Sequence, residues 1–111
     1  MSVVGVDIGG TNTKLVRLER GDVPAARHEI PTPREVEVYR EVLPRAIERV
    51  SDGGSPVRAI GFSVAGLVDE RRQIVQAPNL PFFEGVDVAA PVRAGRWAVP
   101  VVIENDVNAA I

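Results

Sequence analysis

The most constraining stretch of the chain is its start, where residues 3–8, Val3-Val4-Gly5-Val6-Asp7-Ile8, are almost continuously apolar and run directly into Gly9-Gly10. Such a run suits a strand covered on both faces. The glycine pair forces a tight turn, and a second strand follows over residues 13–19. Arg20-Gly21-Asp22 reverses it, and residues 25–30 make a third strand ending at Pro31 and Pro33. Three strands joined by short turns predict an antiparallel meander.

Beyond the meander the period changes. Val36, Tyr39, Leu43, Ala46, Ile47 and Val50 recur at helical spacing, with Glu and Arg between them, which predicts a helix over residues 34–50 with Pro44 as a source of kinking. Asp52-Gly53-Gly54-Ser55-Pro56 ends it and leads to a fourth strand, 57–64. A turn at Ala65-Gly66, a proline-rich connection over 77–81, a short helix over 86–94 and a fifth strand over 99–104 complete the order. A last helix starts near Asn105 and is cut within about two turns, too short to be stable alone. The chain is therefore expected to be a truncated single lobe, residues 1–111, of a longer protein. The fold class is α/β, a mixed five-stranded sheet combining a meander with parallel strands and flanking helices. Right-handed crossovers would make strands one, four and five parallel and align their C-terminal ends along one edge. That edge would carry Asp7 with Gly9 and Gly10, then residues 63–66, then Asn105 with Asp106, where open α/β sheets bind ligands.

Composition narrows the partners. With 45% hydrophobic and 25% charged residues in 111, the chain is globular and one domain at most. A net charge of -2 gives no electrostatic case for nucleic acid or an anionic membrane. No apolar run approaches the roughly 18 residues of a membrane span, so a cytoplasmic protein is expected. The absence of cysteine excludes disulfides and thiolate metal sites within these residues.

Three polar clusters can carry chemistry. In Asp7-Ile8-Gly9-Gly10-Thr11-Asn12-Thr13-Lys14 a carboxylate precedes a glycine turn; Gly9 and Gly10 can take positive φ and have no Cβ, so backbone N–H groups can point together at an anion. Lys14 is the only lysine, and neither the P-loop nor the dinucleotide fingerprint is present. Taken alone, these residues fit an ordinary hairpin turn equally well. Asp106, in Glu104-Asn105-Asp106, fits a helix N-cap and also a carboxylate able to take a proton from a substrate hydroxyl. Asn79, between Pro78 and Pro81, can donate to and accept from a pair of sugar hydroxyls, or close an Asx-turn. His28 reads as a surface or edge residue, and Trp97 and Phe82-Phe83 as packing residues.

The strings VGVDIGGTNTK, GFSVAGLVD, APNLPFFEG and VVIENDVNAA resemble, in order and approximate spacing, the N-terminal half of the ROK family of sugar kinases and sugar-responsive regulators. The resemblance implies an actin-like, ribonuclease-H-like ATPase lobe. By similarity, Gly9, Gly10, Thr11 and Asn12 form the loop that approaches the terminal phosphates of ATP, with Lys14 at its margin. Asp7 is the carboxylate that orients Mg2+ through water, Asn79 and Asn105 bind sugar hydroxyls, Gly66 lets backbone approach the sugar, and Asp106 is the base. Ala65 departs from the proline that many members carry. The family's second lobe, with the adenosine pocket, further sugar ligands and a zinc-binding cysteine cluster, has no counterpart in these residues.

The implied function is that of the N-terminal lobe of an ATP-dependent hexose kinase, glucokinase-like, a homo-oligomer when complete and inactive as this lobe alone. The alternative is the corresponding lobe of a sugar-sensing transcriptional regulator, which carries a helix-turn-helix ahead of the first strand; here Met1-Ser2 leads directly into it. A chaperone-type ATPase lobe would keep the phosphate turn but has no use for Asn79 and Asn105-Asp106.

Overall fold

Alternation along the first strand sets the architecture. In the computed structural model, β1 (Ser2–Ile8) buries Val4, Val6 and Ile8 on one face, while Val3 and Gly5 are half-buried and Asp7 is exposed on the other. The apolar run is thus covered on one face rather than both, because no described helix packs on the Gly5 and Asp7 side. The structure describes residues 1–20, 23–64, 67–68, 74–76, 86–93, 95, 97 and 99–105.

The meander forms as expected. β2 (Asn12–Leu18) lies antiparallel to β1, and β3 (Pro24–Pro31) lies antiparallel to β2. Helix α1 (Val36–Ser51) then crosses over to β4 (Val57–Val64), which runs parallel to β1. A two-stranded antiparallel sheet follows, β5 (Leu67–Val68) with β6 (Ile74–Gln76), then the single turn of α2 (Ala90–Arg93), and β7 (Val101–Asn105) closes parallel to β4. The five-stranded sheet has the order β3-β2-β1-β4-β7. His28 therefore sits on an edge strand.

Helix α1 forms where the apolar stripe dictates. Tyr39, Leu43, Ala46, Ile47 and Val50 are buried against Val4, Val6, Ile8, Leu15, Ile60, Phe62 and Val64 of the sheet. Pro44 is accommodated inside the helix, and Gly53, at φ 77°, turns the chain out after Asp52 in the left-handed conformation common just past helix ends. Arg17 fastens that end: its Nη1 donates to the carbonyls of Val50 at 3.0 Å and Asp52 at 2.9 Å, a cation where the helix leaves its last acceptors unpaired. Farther along, the Tyr39 hydroxyl donates to the Val88 carbonyl at 2.6 Å, tying α1 to the turn before α2. Burial, then the nearby Asp87, pushes this phenol well above its ordinary pKa and keeps it a donor.

Three expectations change. The helix placed over 86–94 shrinks to Ala90–Arg93, because Asp87 acts as its cap: its Oδ1 accepts the Ala89 N–H at 3.0 Å, its carbonyl accepts that of Ala90 at 3.1 Å, and its carboxylate pairs with Arg93. The β5–β6 pair lies between the turn expected at Ala65-Gly66 and the connection expected over 77–81, where no strand was expected, since strands of two and three residues leave no measurable period. The last strand starts at Val101, with Pro100 contributing only a carbonyl, to the Ile60 N–H at 3.1 Å, and it extends through Asn105.

Candidate functional site

Because β1, β4 and β7 are parallel neighbours, their C-terminal ends lie side by side. Asp7 is in register with Ser63 and Ser63 with Glu104; one step on, Ile8 is in register with Val64 and Val64 with Asn105. On the other side, Asp7 stands opposite Lys14 and Lys14 opposite Glu29. Cross-strand partners share a face. A polar row, Glu29, Lys14, Asp7 and Ser63, therefore crosses four strands on the sheet face that α1 leaves open. Asp7 and Lys14 are exposed, and with Ser63 they line a shallow depression of about 490 Å³ whose floor includes Gly5 and Gly61. A larger groove of about 1040 Å³ runs between β3 and α1, lined by His28, Arg45 and Arg49, away from this row.

The glycine turn caps the end of the row. Gly9 donates its N–H to the Asn12 carbonyl at 3.0 Å, closing a hairpin around Gly10 and Thr11. A Cβ on Gly9 would meet that carbonyl oxygen at 2.9 Å, so glycine is required there by close approach. Of the two reasons for glycine here, the missing Cβ is the one Gly9 uses; positive φ is not, since among the described residues Gly53 is the glycine in that region. Thr11 and Asn12 are exposed, and Gly9 and Gly10 are half-buried.

Two residues that sequence reasoning passed over lie beneath the turn. Thr13 and Thr32 are 1% and 5% exposed, and their hydroxyls meet at 2.9 Å. Thr32 also donates its hydroxyl to the Gly9 carbonyl at 2.7 Å and its N–H to the Thr11 carbonyl at 2.9 Å. A threonine held between Pro31 and Pro33 was the available signal.

Of the residues singled out from sequence, the structure brings together Asp7, Gly9, Gly10, Thr11, Asn12 and Lys14. Asn105 ends β7 in register with Val64. Gly66, Asn79 and Asp106 lie outside the described residues, as do Phe82 and Phe83, whereas Trp97 is buried in the core as expected. Among the described residues no group of three or more His, Cys, Asp or Glu is arranged to hold a metal ion by itself, and no helix is long and apolar enough to cross a membrane.

Comparison with known proteins gives the family and the fold. The ROK family model matches residues 3–111. The glucokinase of Streptomyces coelicolor is 37% identical over 110 residues, which cover 96% of this chain and 33% of that protein. Among solved structures, a ROK family glucokinase from Streptomyces griseus in complex with glucose and AMPPNP superimposes with a TM-score of 0.85 at 32% identity, over 99% of this chain and 35% of that one. The ROK hexokinase of Thermus thermophilus gives 0.84 at 34% identity, over 99% and 37%. The chain thus spans about a third of the length of the relatives it matches. Its mixed sheet is that of the actin-like ATPase lobe these sugar kinases share. By family match, sequence identity and fold together, the chain belongs to the ROK family.

Proposed function

We propose that this chain is the N-terminal lobe of an ATP-dependent hexose kinase, glucokinase-like, that transfers the γ-phosphoryl group to a sugar hydroxyl. The observation that carries the reading is the Gly9 to Asn12 turn standing beside exposed Asp7 and Lys14 where three parallel strands end. The similarity to kinases at 32–37% identity, one of them in complex with glucose and AMPPNP, supports catalysis over the sugar-sensing regulator.

In this reading the turn's backbone N–H groups and the Thr11 and Asn12 side chains hold the terminal phosphates, with Lys14 adding positive charge at the margin. A single exposed carboxylate suits magnesium, which keeps several waters and takes its remaining ligands from phosphate, so Asp7 would hold it through water. Magnesium, when bound, offsets charge on the β- and γ-phosphates. Asn79 and Asn105 hydrogen-bond the sugar hydroxyls, and Gly66 lets the backbone close on the ring. Asp106 takes the proton as the hydroxyl oxygen bonds to the γ-phosphorus and ADP leaves in line. The lobe forms one wall of the cleft; the other wall supplies the adenosine pocket.

A coupled assay of the full-length protein with ATP, Mg2+ and glucose tests this, with Asp106→Asn as its control. The variant keeps the reach needed to cap a helix, so a purely structural Asp106 leaves turnover near normal. As general base, its loss lowers kcat by about 10² to 10⁴ with the sugar Kd within a few-fold. A wild-type protein without turnover, or a variant that loses less than about tenfold, overturns the respective assignment.

A further inference from the structure

We infer that Thr32, from the outermost strand end of the meander, is the positioning residue of the phosphate turn. The inference rests on the kinase reading above and adds to it a residue that touches no substrate. Its basis is the number of places at which this one residue holds the turn.

Thr32 follows directly on β3, two strands away from β1, yet it bonds both carbonyls that frame Gly10 and Thr11. Its hydroxyl donates to Gly9 and its N–H to Thr11. A threonine hydroxyl has one proton to give. With that proton committed to the Gly9 carbonyl, the 2.9 Å contact with Thr13 assigns Thr13 as donor and Thr32 as acceptor. The result is a directed chain, Thr13 to Thr32 to Gly9, in which each bond polarises the next. Both threonines are buried, so water cannot replace either bond.

The consequence for ligand binding follows from the planar trans peptide. The N–H of each peptide points opposite to its C=O. Pulling the Gly9 carbonyl toward Thr32 turns the Gly10 N–H away from it, and pulling the Thr11 carbonyl toward Thr32 does the same for the Asn12 N–H. Two donors on either side of the turn's tip are thereby aimed to the side opposite Thr32. Their direction is set before any phosphate arrives, so binding requires little reordering of the loop. Gly9 completes the device, since the closed hairpin leaves no room for a Cβ there.

The full-length protein tests this with Thr32→Val, which keeps shape and removes the hydroxyl, Thr32→Ser, which keeps the hydroxyl, and Thr13→Val, which removes only the outer link. Thr32→Val is expected to raise the KM for ATP about tenfold while the KM for glucose stays within about twofold, with Ser restoring the ATP value and Thr13→Val giving an intermediate loss. Hydrogen exchange of the Gly9 and Thr32 amides, which bond the Asn12 and Thr11 carbonyls, should quicken about tenfold in Thr32→Val, with the amides of α1 unchanged. Equal losses for ATP and glucose, no rescue by Ser, or unaltered exchange in the turn would overturn the inference. If the wild type shows no ATP-dependent turnover, the kinase reading fails on its own, and exchange at the Gly9 and Thr32 amides still decides whether Thr32 holds the turn.

Discussion

On the face of the sheet that α1 covers, Val4, Val6 and Ile8 are each at most 2% exposed; one residue along in the same strand, Gly5 is half-buried and Asp7 is open to solvent. The two faces share a backbone and a register, so their difference comes entirely from side chains. The covered face carries branched apolar residues that interlock with the stripe of α1. The open face carries two glycines in register, Gly5 and Gly61, and the polar row through Lys14, Asp7 and Ser63. Stability is concentrated on one side, the proposed function assigns ligand chemistry to the other, and the strand ends are where the two faces meet.

The sharpest way to break this division is to weaken the covered face. Ile47 is fully buried at the centre of the α1 stripe, and Ile47→Ala is expected to cost about 2 to 5 kcal/mol of stability, read from urea denaturation. A cost below 1 kcal/mol would mean that the helix is not the principal cover of the sheet.

Legibility in the sequence follows the same division. The strands were readable from their apolar runs and the turn residues between them, such as Gly9-Gly10 and Arg20-Gly21-Asp22, and α1 from the period of 3.6 that burial imposes on residues such as Leu43 and Ile47, whereas the alternation of Val4 and Val6 with Gly5 and Asp7 was hidden in a continuous apolar run. The polar edge obeys no period. Its location followed from topology, and Asp7, Gly9 and Lys14 were found by type and by resemblance; that Gly9 needs its missing Cβ rather than positive φ was not separable, because a close approach to the Asn12 carbonyl leaves no trace in a local pattern. Thr32 escaped for a related reason: its partners are 19 and 23 residues away in the chain. The start of α2 was misplaced because Asp87 was read as a helical residue rather than as its cap.

A smaller effect tests how α1 is tied down at its other contact. Tyr39→Phe removes the hydroxyl that satisfies the buried Val88 carbonyl, and a loss of about 1 to 3 kcal/mol is expected. An unchanged midpoint would mean that water reaches that carbonyl.

The smallest effect lies at the exposed end of the sheet. The Ser55 hydroxyl holds the Glu19 carboxyl below the usual glutamate range against desolvation, the second-largest effect, with smaller help from the Ser55 N–H and the Arg17 guanidinium. A lowered folded pKa means the contribution is present above the unfolded value and is lost as pH falls through the folded one. Ser55→Ala should therefore reduce stability slightly at neutral pH and flatten the acid limb of the pH–stability curve below the ordinary glutamate range. Parallel curves for the two proteins would remove Ser55 as the cause. Because Glu19 is solvent-accessible, the difference stays small.

The central claim is that the open face and its strand ends do chemistry that the fold does not need, and Asp7→Asn in the full-length protein tests it most directly. Asparagine preserves size at an exposed position while removing the charge that would hold magnesium against the phosphates. ATP- and Mg2+-dependent phosphorylation of glucose should fall by at least about a hundredfold, with the thermal midpoint within about 2 °C of the wild type. Turnover within threefold of the wild type, or a collapse in stability that accounts for the loss, would contradict the claim.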